Sequence, residues 1–494
     1  MRITGARGPA PSDGCVVPDG SCDREFGESC GIFAAYGIDN AAHQTYLGLF
    51  SLQHRGQESA GIVVSDGEQI RSHKGLGLLN DVVPRSSLDT LPGHLAIGHV
   101  RYSTTGGSKR ISNVQPLVLE YSKGLFCVAH NGNLINAKEL RKACEWRGSI
   151  FQTSTDSEIV VHLLARPDNF DLEFPLGNCL SRLRGAFSFV FMTRDSIVAA
   201  RDTHGFRPLA MGKLGDGTVF ASETCAFDLI GATYERDVEP GEVIEVGPKG
   251  VTSRRIPSPP EVPTTHCVFE HLYFARPDSL VFGDNVHEVR KRLGARLARD
   301  FPVDADVVVA VPDSGRSSAI GYSQESGIPM DRGFVRNFYV GRTFIMPSED
   351  PRGTSVEIKL NVVKHVVEGK RIVIVDDSII RGTTSRRRIG MLREAGAKEI
   401  HVRISAPPCR HPCYYGIDFP THDELIAAKW SVERIRAFLK VESLAYQTVE
   451  GMKSAVSRPN DYCAACFTGE YPEPITGTIE KDGLENKGLS QNQE

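Results

Sequence analysis

Ten residues, IPSPPEVPTT (Ile256 to Thr265), separate two halves of this chain that differ in texture. Proline lacks a backbone donor and fixes φ, so four prolines in so short a stretch oppose any helix or interior strand and mark a linker. With 494 residues the chain is also too long for a single core, and two or three domains are expected. Ahead of the linker, short apolar strands (Gly31 to Tyr36, Ala60 to Ser65, Leu125 to His130, Phe187 to Ala200, Thr218 to Ser222) alternate with turn clusters and two helical stretches, the pattern of mixed α and β layers. Beyond it helices and strands alternate, and the largely β-branched runs Val307 to Val311 and Arg371 to Val375 read as buried strands of a parallel sheet.

The ends of the chain carry little to bury. Residues 1 to 29 are rich in Gly, Pro, Ser, Asp and Cys and read as a removable leader, and the polar stretch from about Thr476 reads as a tail. The expected organisation is therefore a leader (1–29), a first domain (30–262), a second domain (263–450) and a C-terminal segment (451–494). Internal repeats are absent. Net charge is −4 with Lys and Arg scattered among acids, which argues against a nucleic-acid or anionic-membrane partner and for small molecules. No apolar run approaches the roughly 20 residues that span a bilayer, and no signal-peptide stretch opens the chain, so a cytoplasmic location is expected. In that reducing setting the twelve cysteines are thiols, metal ligands or a nucleophile.

Cys30 sits directly after the leader and before a strand, in Glu28-Ser29-Cys30-Gly31-Ile32-Phe33. Cleavage there would free an α-amine whose reference pKa of about 8 suits a base, so nucleophile and base would share one residue. No Met lies between Met1 and Cys30, so exposure requires proteolysis or an unusual start codon. Taken alone, such a cysteine is more often a core residue at a strand start.

Four stretches then follow in order: QHRGQESAG (Gln53 to Gly61), HVRYST (His99 to Thr104), HNGNL (His130 to Leu134) and TDSE (Thr155 to Glu158). Together with Cys30 they resemble the glutaminase domain of class II glutamine amidotransferases. The resemblance implies an N-terminal nucleophile hydrolase-like αββα fold. Within it, Arg101 would offer a planar fork to the α-carboxylate of glutamine, and Asp156 a carboxylate to its α-ammonium. Asn131 and the Gly132 N–H would form an oxyanion hole.

In the second half, RIVIVDDSIIRGTT (Arg371 to Thr384) is an apolar strand ending in paired acids, then a Gly and hydroxyl loop, then a helix expected near Ser385. Loop N–H groups and a helix N-terminus make an anion cradle. Asp376 and Asp377 suit ribose hydroxyls and a hydrated Mg2+ ion. The segment resembles the phosphoribosyl pyrophosphate (PRPP) motif of α/β type I phosphoribosyltransferases, which implies PRPP contacts from Arg381, Gly382, Thr383 and Thr384. A second strand-loop unit, Val309 to Arg316, places Ser314 at a position implicated in Mg2+ binding in relatives. The polar stretch Arg336 to Asn361, with Arg342, Arg352 and Lys359, reads as a loop closing over PRPP, Lys359 being the preferred contact.

Cys463-Ala464-Ala465-Cys466 alone suggests zinc, redox chemistry or nothing. In company with His411-Pro412-Cys413-Tyr414-Tyr415-Gly416 and Thr265-His266-Cys267-Val268-Phe269-Glu270 it resembles the iron-sulfur branch of the amidophosphoribosyltransferases, a resemblance that now spans nearly the whole chain. That implies a 4Fe-4S cluster held by Cys267, Cys413, Cys463 and Cys466 as a structural clamp, with Cys409 unliganded; thiolate softness alone permits zinc as well. Cys127, Cys144, Cys179 and Cys225 read as packing residues. The family further implies a homo-oligomer, a homotetramer by resemblance, inhibited by purine nucleotides. Its reaction is the glutamine-dependent amination of PRPP to 5-phosphoribosylamine, glutamate and pyrophosphate, the first committed step of purine synthesis. Two rivals stand beside it: another class II amidotransferase, which would lack VDDSIIRGTT, and a non-catalytic nucleotide-sensing regulator, which would have no use for the glutaminase residues.

Overall fold

The computed structural model describes residues 30–102, 110–169, 171–259, 262–336, 360–417 and 421–475. Lys359, Arg342 and Arg352, and with them most of the expected closing loop, lie outside these residues, as do the leader and the tail.

Strand Gly31–Tyr36 lies at the middle of a seven-stranded antiparallel sheet, between Gly217–Ala221 and Leu95–Arg101. Its alternation explains the layering. Ile32 and Ala34 face a second, six-stranded antiparallel sheet and pack in one cluster with Cys127, Ala129 and Val190. Phe33 and Ala35, on the opposite face, pack beneath helices Ala41–Ser51 and Cys225–Ile230. The outer face of the second sheet carries Phe187, Phe189 and Phe191 under helices Ala137–Glu145, Glu158–Leu164 and Pro175–Leu180. Period-two side-chain direction thus yields four layers, helix, sheet, sheet, helix. The expected strand Phe187 to Ala200 is two strands, Gly185–Met192 and Ile197–Arg201, because Thr193 closes a turn onto Ser196 between them.

The second half holds a five-stranded parallel sheet in the order Met330–Asp331, Val307–Ala310, Arg371–Asp376, Glu399–Ile404, Ser443–Tyr446. Both faces are covered, which is why its strands read as continuous apolar runs. Helices Val286–Asp300 and Arg316–Ser326 on one face approach each other backbone to backbone. A Cβ on Gly294 would lie 1.8 Å from the Ser318 carbonyl oxygen, and one on Gly321 would lie 1.9 Å from that of Lys291. The segments bearing the four singled-out cysteines meet where His266–Cys267 pairs in parallel with Tyr462–Cys463. Cys127, Cys144, Cys179 and Cys225 are buried in the first half, as packing residues are. Among the described residues no helix is long and apolar enough to cross a membrane.

Gly294→Ala should therefore cost about 1–3 kcal/mol by overpacking, seen as a lower urea midpoint at unchanged m. An unaltered midpoint would show that the two helices separate freely.

Candidate active site

Cys30 is buried at the head of the central strand, and its thiol donates to the Tyr102 carbonyl at 3.4 Å. Burial pushes the thiol above its ordinary value, while the Tyr102 contact and the Arg101 charge pull the other way, and Glu58 and Asp156 add to the rise. Arg101 and Asp156 therefore lie close enough to be felt at the sulfur. Arg101 ends the neighbouring strand Leu95–Arg101, nearly fully buried, and donates to the Asn113 carbonyl at 3.1 Å.

Asp156 precedes helix Glu158–Leu164. Its Oδ2 accepts from the Leu134 N–H at 3.0 Å and its Oδ1 from the Ser157 hydroxyl at 3.2 Å, with His130 Nδ1 3.5 Å away. Burial alone would raise this carboxyl, but His130 and these donors hold it below the usual carboxylate range. It is a buried anion held by fixed donors.

Asn131 lies on strand Gly124–Leu134 with no exposure, and neither atom of its side-chain amide has a partner among the described residues. A buried amide left without hydrogen bonds costs on the order of 1–3 kcal/mol. Such a cost is kept where a ligand completes the bonding. Gly132 beside it has φ 151°, and a Cβ there would fall 2.1 Å from the Ala186 carbonyl oxygen, so no other residue fits.

Arg101 and Asp156 thus lie by the Cys30 thiol, and Asp156 is tied through Leu134 to the strand that carries Asn131 and Gly132. What sequence reasoning passed over is the layer behind them. Arg55 Nε donates to the Cys30 carbonyl at 3.2 Å, and its two terminal nitrogens grip Glu270 at 2.9 and 2.8 Å. Arg207 donates to the same Glu270 at 2.9 Å and to the Tyr415 carbonyl at 3.0 and 2.8 Å. Glu223 completes the set on Arg55 and also accepts from the Arg276 N–H at 2.9 Å. All four charged side chains are fully buried. Arg55 and Glu270 lie within stretches that carried the family resemblance, QHRGQESAG and THCVFE, which is the one signal the sequence held for them.

The phosphoribosyl residues gather at the carboxyl ends of strands Val307–Ala310 and Arg371–Asp376, where open α/β sheets bind ligands. Asp377 accepts from the Ser314 and Ser378 hydroxyls. Asp376 is buried, with Arg388 at 3.3 Å. Burial and the neighbouring Asp377 charge push it up to about 7. Gly382, at φ 79°, turns the loop into helix Thr383–Glu394, which starts two residues ahead of the expected Ser385 and puts Thr383 and Thr384 in its first turn. Arg381 reaches sideways to Glu424 at 2.9 Å.

Cys267, Cys413, Cys463 and Cys466 line one small pocket with Phe206, Phe269 and Tyr415. Burial pushes Cys267 up to about 12 against the pull of Arg207. Cys409 is buried beside this pocket without lining it. Among the described residues no three or more His, Cys, Asp or Glu side chains are gathered as a metal-ion site. The donor chemistry of four soft sulfurs from three chain segments around an apolar pocket suits a thiolate-held metal group.

Comparison with known proteins agrees with this geometry. A family described as "Glutamine amidotransferase domain" matches residues 99–228. The amidophosphoribosyltransferase of Bacillus subtilis is 51% identical over 91% of this chain and 95% of its own length. That of Methanocaldococcus jannaschii is 47% identical over 90% and 98%. The chain belongs to the amidophosphoribosyltransferases. The solved B. subtilis glutamine PRPP amidotransferase complexed with ADP and GMP superposes with a TM-score of 0.87 at 49% identity, covering 92% of this chain and all of that one. A structure described as the allosteric regulatory enzyme of purine biosynthesis gives 0.88 at 48% identity, covering 94%. An αββα N-terminal nucleophile hydrolase-like domain followed by a type I phosphoribosyltransferase domain is therefore the fold of this chain.

His99 offers a pH test. Its Nε2 meets the His130 carbonyl at 3.0 Å, and burial lowers it to about 3. The unfolded chain takes up this proton near pH 6.5 while the folded chain refuses it, so stability falls as pH drops from 6.5 toward 3, by at most about 1.4 kcal/mol per pH unit. His99→Gln should flatten that part of the urea midpoint-against-pH curve. An unchanged slope would place the acid sensitivity elsewhere.

Proposed function

We propose that this chain takes ammonia from glutamine at Cys30 and uses it to displace pyrophosphate from PRPP. The products are 5-phosphoribosylamine, glutamate and pyrophosphate, and this is the amination step of purine biosynthesis performed by its family. The observation that carries the reading is the Asn131 amide beside Gly132, buried and without a partner among the described residues.

In this reading the leader is removed and the freed Cys30 amine takes the thiol proton. The sulfur attacks the side-chain carbonyl of glutamine, held by Arg101 at its carboxylate and Asp156 at its ammonium. Asn131 and the Gly132 N–H receive the oxyanion, and its collapse leaves a thioester and releases ammonia. Water then frees glutamate. In the second domain ammonia attacks C1 of the ribose and pyrophosphate departs. Ser314, Asp376 and Asp377, with the Arg381 to Thr384 loop, hold PRPP, and Lys359 is assigned a contact from the closing segment. Two adjacent buried carboxylates with hard oxygen donors suit Mg2+, which when bound offsets the pyrophosphate charge. Cys267, Cys413, Cys463 and Cys466 are assigned to a 4Fe-4S cluster in a structural role, since neither half-reaction moves electrons.

Purine nucleotides are the expected inhibitors, in line with the ADP- and GMP-bound relative, and the working form is assigned as a homotetramer in the cytoplasm. The domain limits are taken as 30–262 and 263–450, with 451–494 carrying the last two cluster ligands and the tail.

Glutamate release dependent on PRPP tests the whole reading, and a purified active chain that retains its first twenty-nine residues by intact mass would end it. Cys30→Ala should abolish glutamine hydrolysis. Asn131→Ala should lower its kcat by about 10²–10³, and a change under threefold would remove Asn131 from the oxyanion hole. Asp376→Ala should lose PRPP use while glutamine is still hydrolysed at the basal rate; the reverse pattern would exchange the roles of the two domains.

A further inference from the structure

The oxyanion loop of the first domain is supported from the second. Asn133 Nδ2 donates to the Tyr414 carbonyl at 2.9 Å. Two residues further on, Gly416 lies so close that a Cβ on it would come within 2.9 Å of the Gly132 carbonyl carbon, 3.0 Å of its Cα and 3.2 Å of an Arg207 guanidinium nitrogen. The φ of Gly416 is 94°, a conformation closed to most side chains. Tyr415, between them, accepts from Arg207 through its carbonyl, and its N–H donates to Cys413 Sγ at 3.4 Å. A second arm runs from Glu270, three residues after Cys267, through Arg55 to the Cys30 carbonyl. Both arms start on segments that carry pocket thiols, and they end on the two halves of the hydrolytic apparatus, the oxyanion loop and the nucleophile.

We infer that Gly416, Asn133 and Glu270 are positioning residues for glutamine hydrolysis, through which the four-thiol pocket sets the geometry of the Gly132 N–H and of Cys30. This rests on reading Asn131 and Gly132 as the oxyanion hole. The arms act on different atoms. Arg55 fixes the backbone from which the nucleophile projects, whereas the Tyr414 to Gly416 segment keeps the peptide after Asn131 from turning its N–H away. In the proposed mechanism glutamine is held at its charged ends by Arg101 and Asp156 rather than by Gly416, Asn133 or Glu270. A shift in the oxyanion loop therefore falls on the transition state more than on substrate binding, and appears in kcat rather than KM.

The test is steady-state glutamine hydrolysis by the full processed enzyme carrying Gly416→Ala, Asn133→Ala or both. Melting temperature, metal content and amination of PRPP by added ammonia are measured on the same samples. Gly416→Ala should lower kcat by about 10- to 100-fold, a fraction of what loss of an oxyanion donor costs. KM should stay within about threefold, and metal content and ammonia-dependent amination should hold at the unsubstituted level. Asn133→Ala removes the hydrogen bond to the Tyr414 carbonyl and should lower kcat by several-fold. Because both changes act on one contact, the double variant should fall short of the product of the two. An unchanged kcat in both variants would overturn the inference. So would strictly multiplicative effects, or loss of metal and melting temperature in step with kcat, which would mark the contact as ordinary packing. Should Gly416→Ala fail to fold, Asn133→Ala and Glu270→Gln decide by the same split of kcat from KM. Asn131→Ala reports separately on the oxyanion hole, so the hole can stand while this inference falls.

Discussion

Two guanidiniums and two carboxylates, Arg55, Arg207, Glu223 and Glu270, are closed off from water at the joint between the two halves of the chain. Their charges cancel as a set, and that balance decides the energetics. Burying any one alone carries a penalty of several kcal/mol, so taking away a single partner leaves a charge that neither water nor protein satisfies. Burial would raise the Glu270 carboxyl, and the two arginines hold it well below the usual carboxylate range instead. Such an assembly contributes little net stability compared with a well-packed apolar joint, but it tolerates only one arrangement. Three of the four sit on the glutaminase side and Glu270 on the other, so their hydrogen-bond geometry fixes how the domains meet.

That rigidity matters because ammonia must pass from one site to the other. A joint held only by apolar contacts could slide without much loss, since burial is nearly indifferent to direction. Bidentate Arg–carboxylate contacts are directional, and the carbonyls of Cys30 and Tyr415 are drawn into the same set. The backbone of Cys30 and the segment behind Gly132 are thereby referred to one fixed point. This is how a sheet end in one domain and a cysteine-bearing loop in the other keep a common alignment.

Much of this was readable from residue patterns. A short apolar run gave the central strand at Gly31, and β-branched runs gave the parallel sheet of the second half, because apolar character and branching are local properties. The candidate residues around Cys30 and those from Asp376 to Thr384 were legible for a different reason: each lies in a short stretch whose residue types suit one chemical task. The charged quartet was not legible. Arg55 and Glu270 are 215 residues apart, and nothing in either neighbourhood states that they touch. Nor does the sequence around Gly416 reveal that its missing side chain makes room for Gly132, since close approach of two backbones leaves no periodic trace. Helix Thr383–Glu394 starts two residues early for a local reason, the positive φ of Gly382, which sequence reasoning assigned to phosphate contact rather than to the helix boundary.

The functional residues share a thermodynamic character that separates them from the core. The Asn131 amide is buried without partners among the described residues, and Asp376 and Asp377 place two carboxyls side by side with Asp376 fully enclosed. Each arrangement is worse for folding than an apolar replacement of the same shape, and on the proposed mechanism each is relieved by what it would bind: an oxyanion, or a divalent cation with a phosphorylated sugar. Such sites keep their geometry only where the surroundings allow no relaxation. Around Asn131 that constraint comes from the Ala186 carbonyl pressed against Gly132 on one side and from Gly416 on the other. Around the acid pair it comes from a parallel sheet whose strands on either side are buried on both faces. The catalytic groups are therefore held in unfavourable local states by favourable packing at a distance, and the side of the glutaminase site that faces the second domain is, in this fold, a part of that second domain.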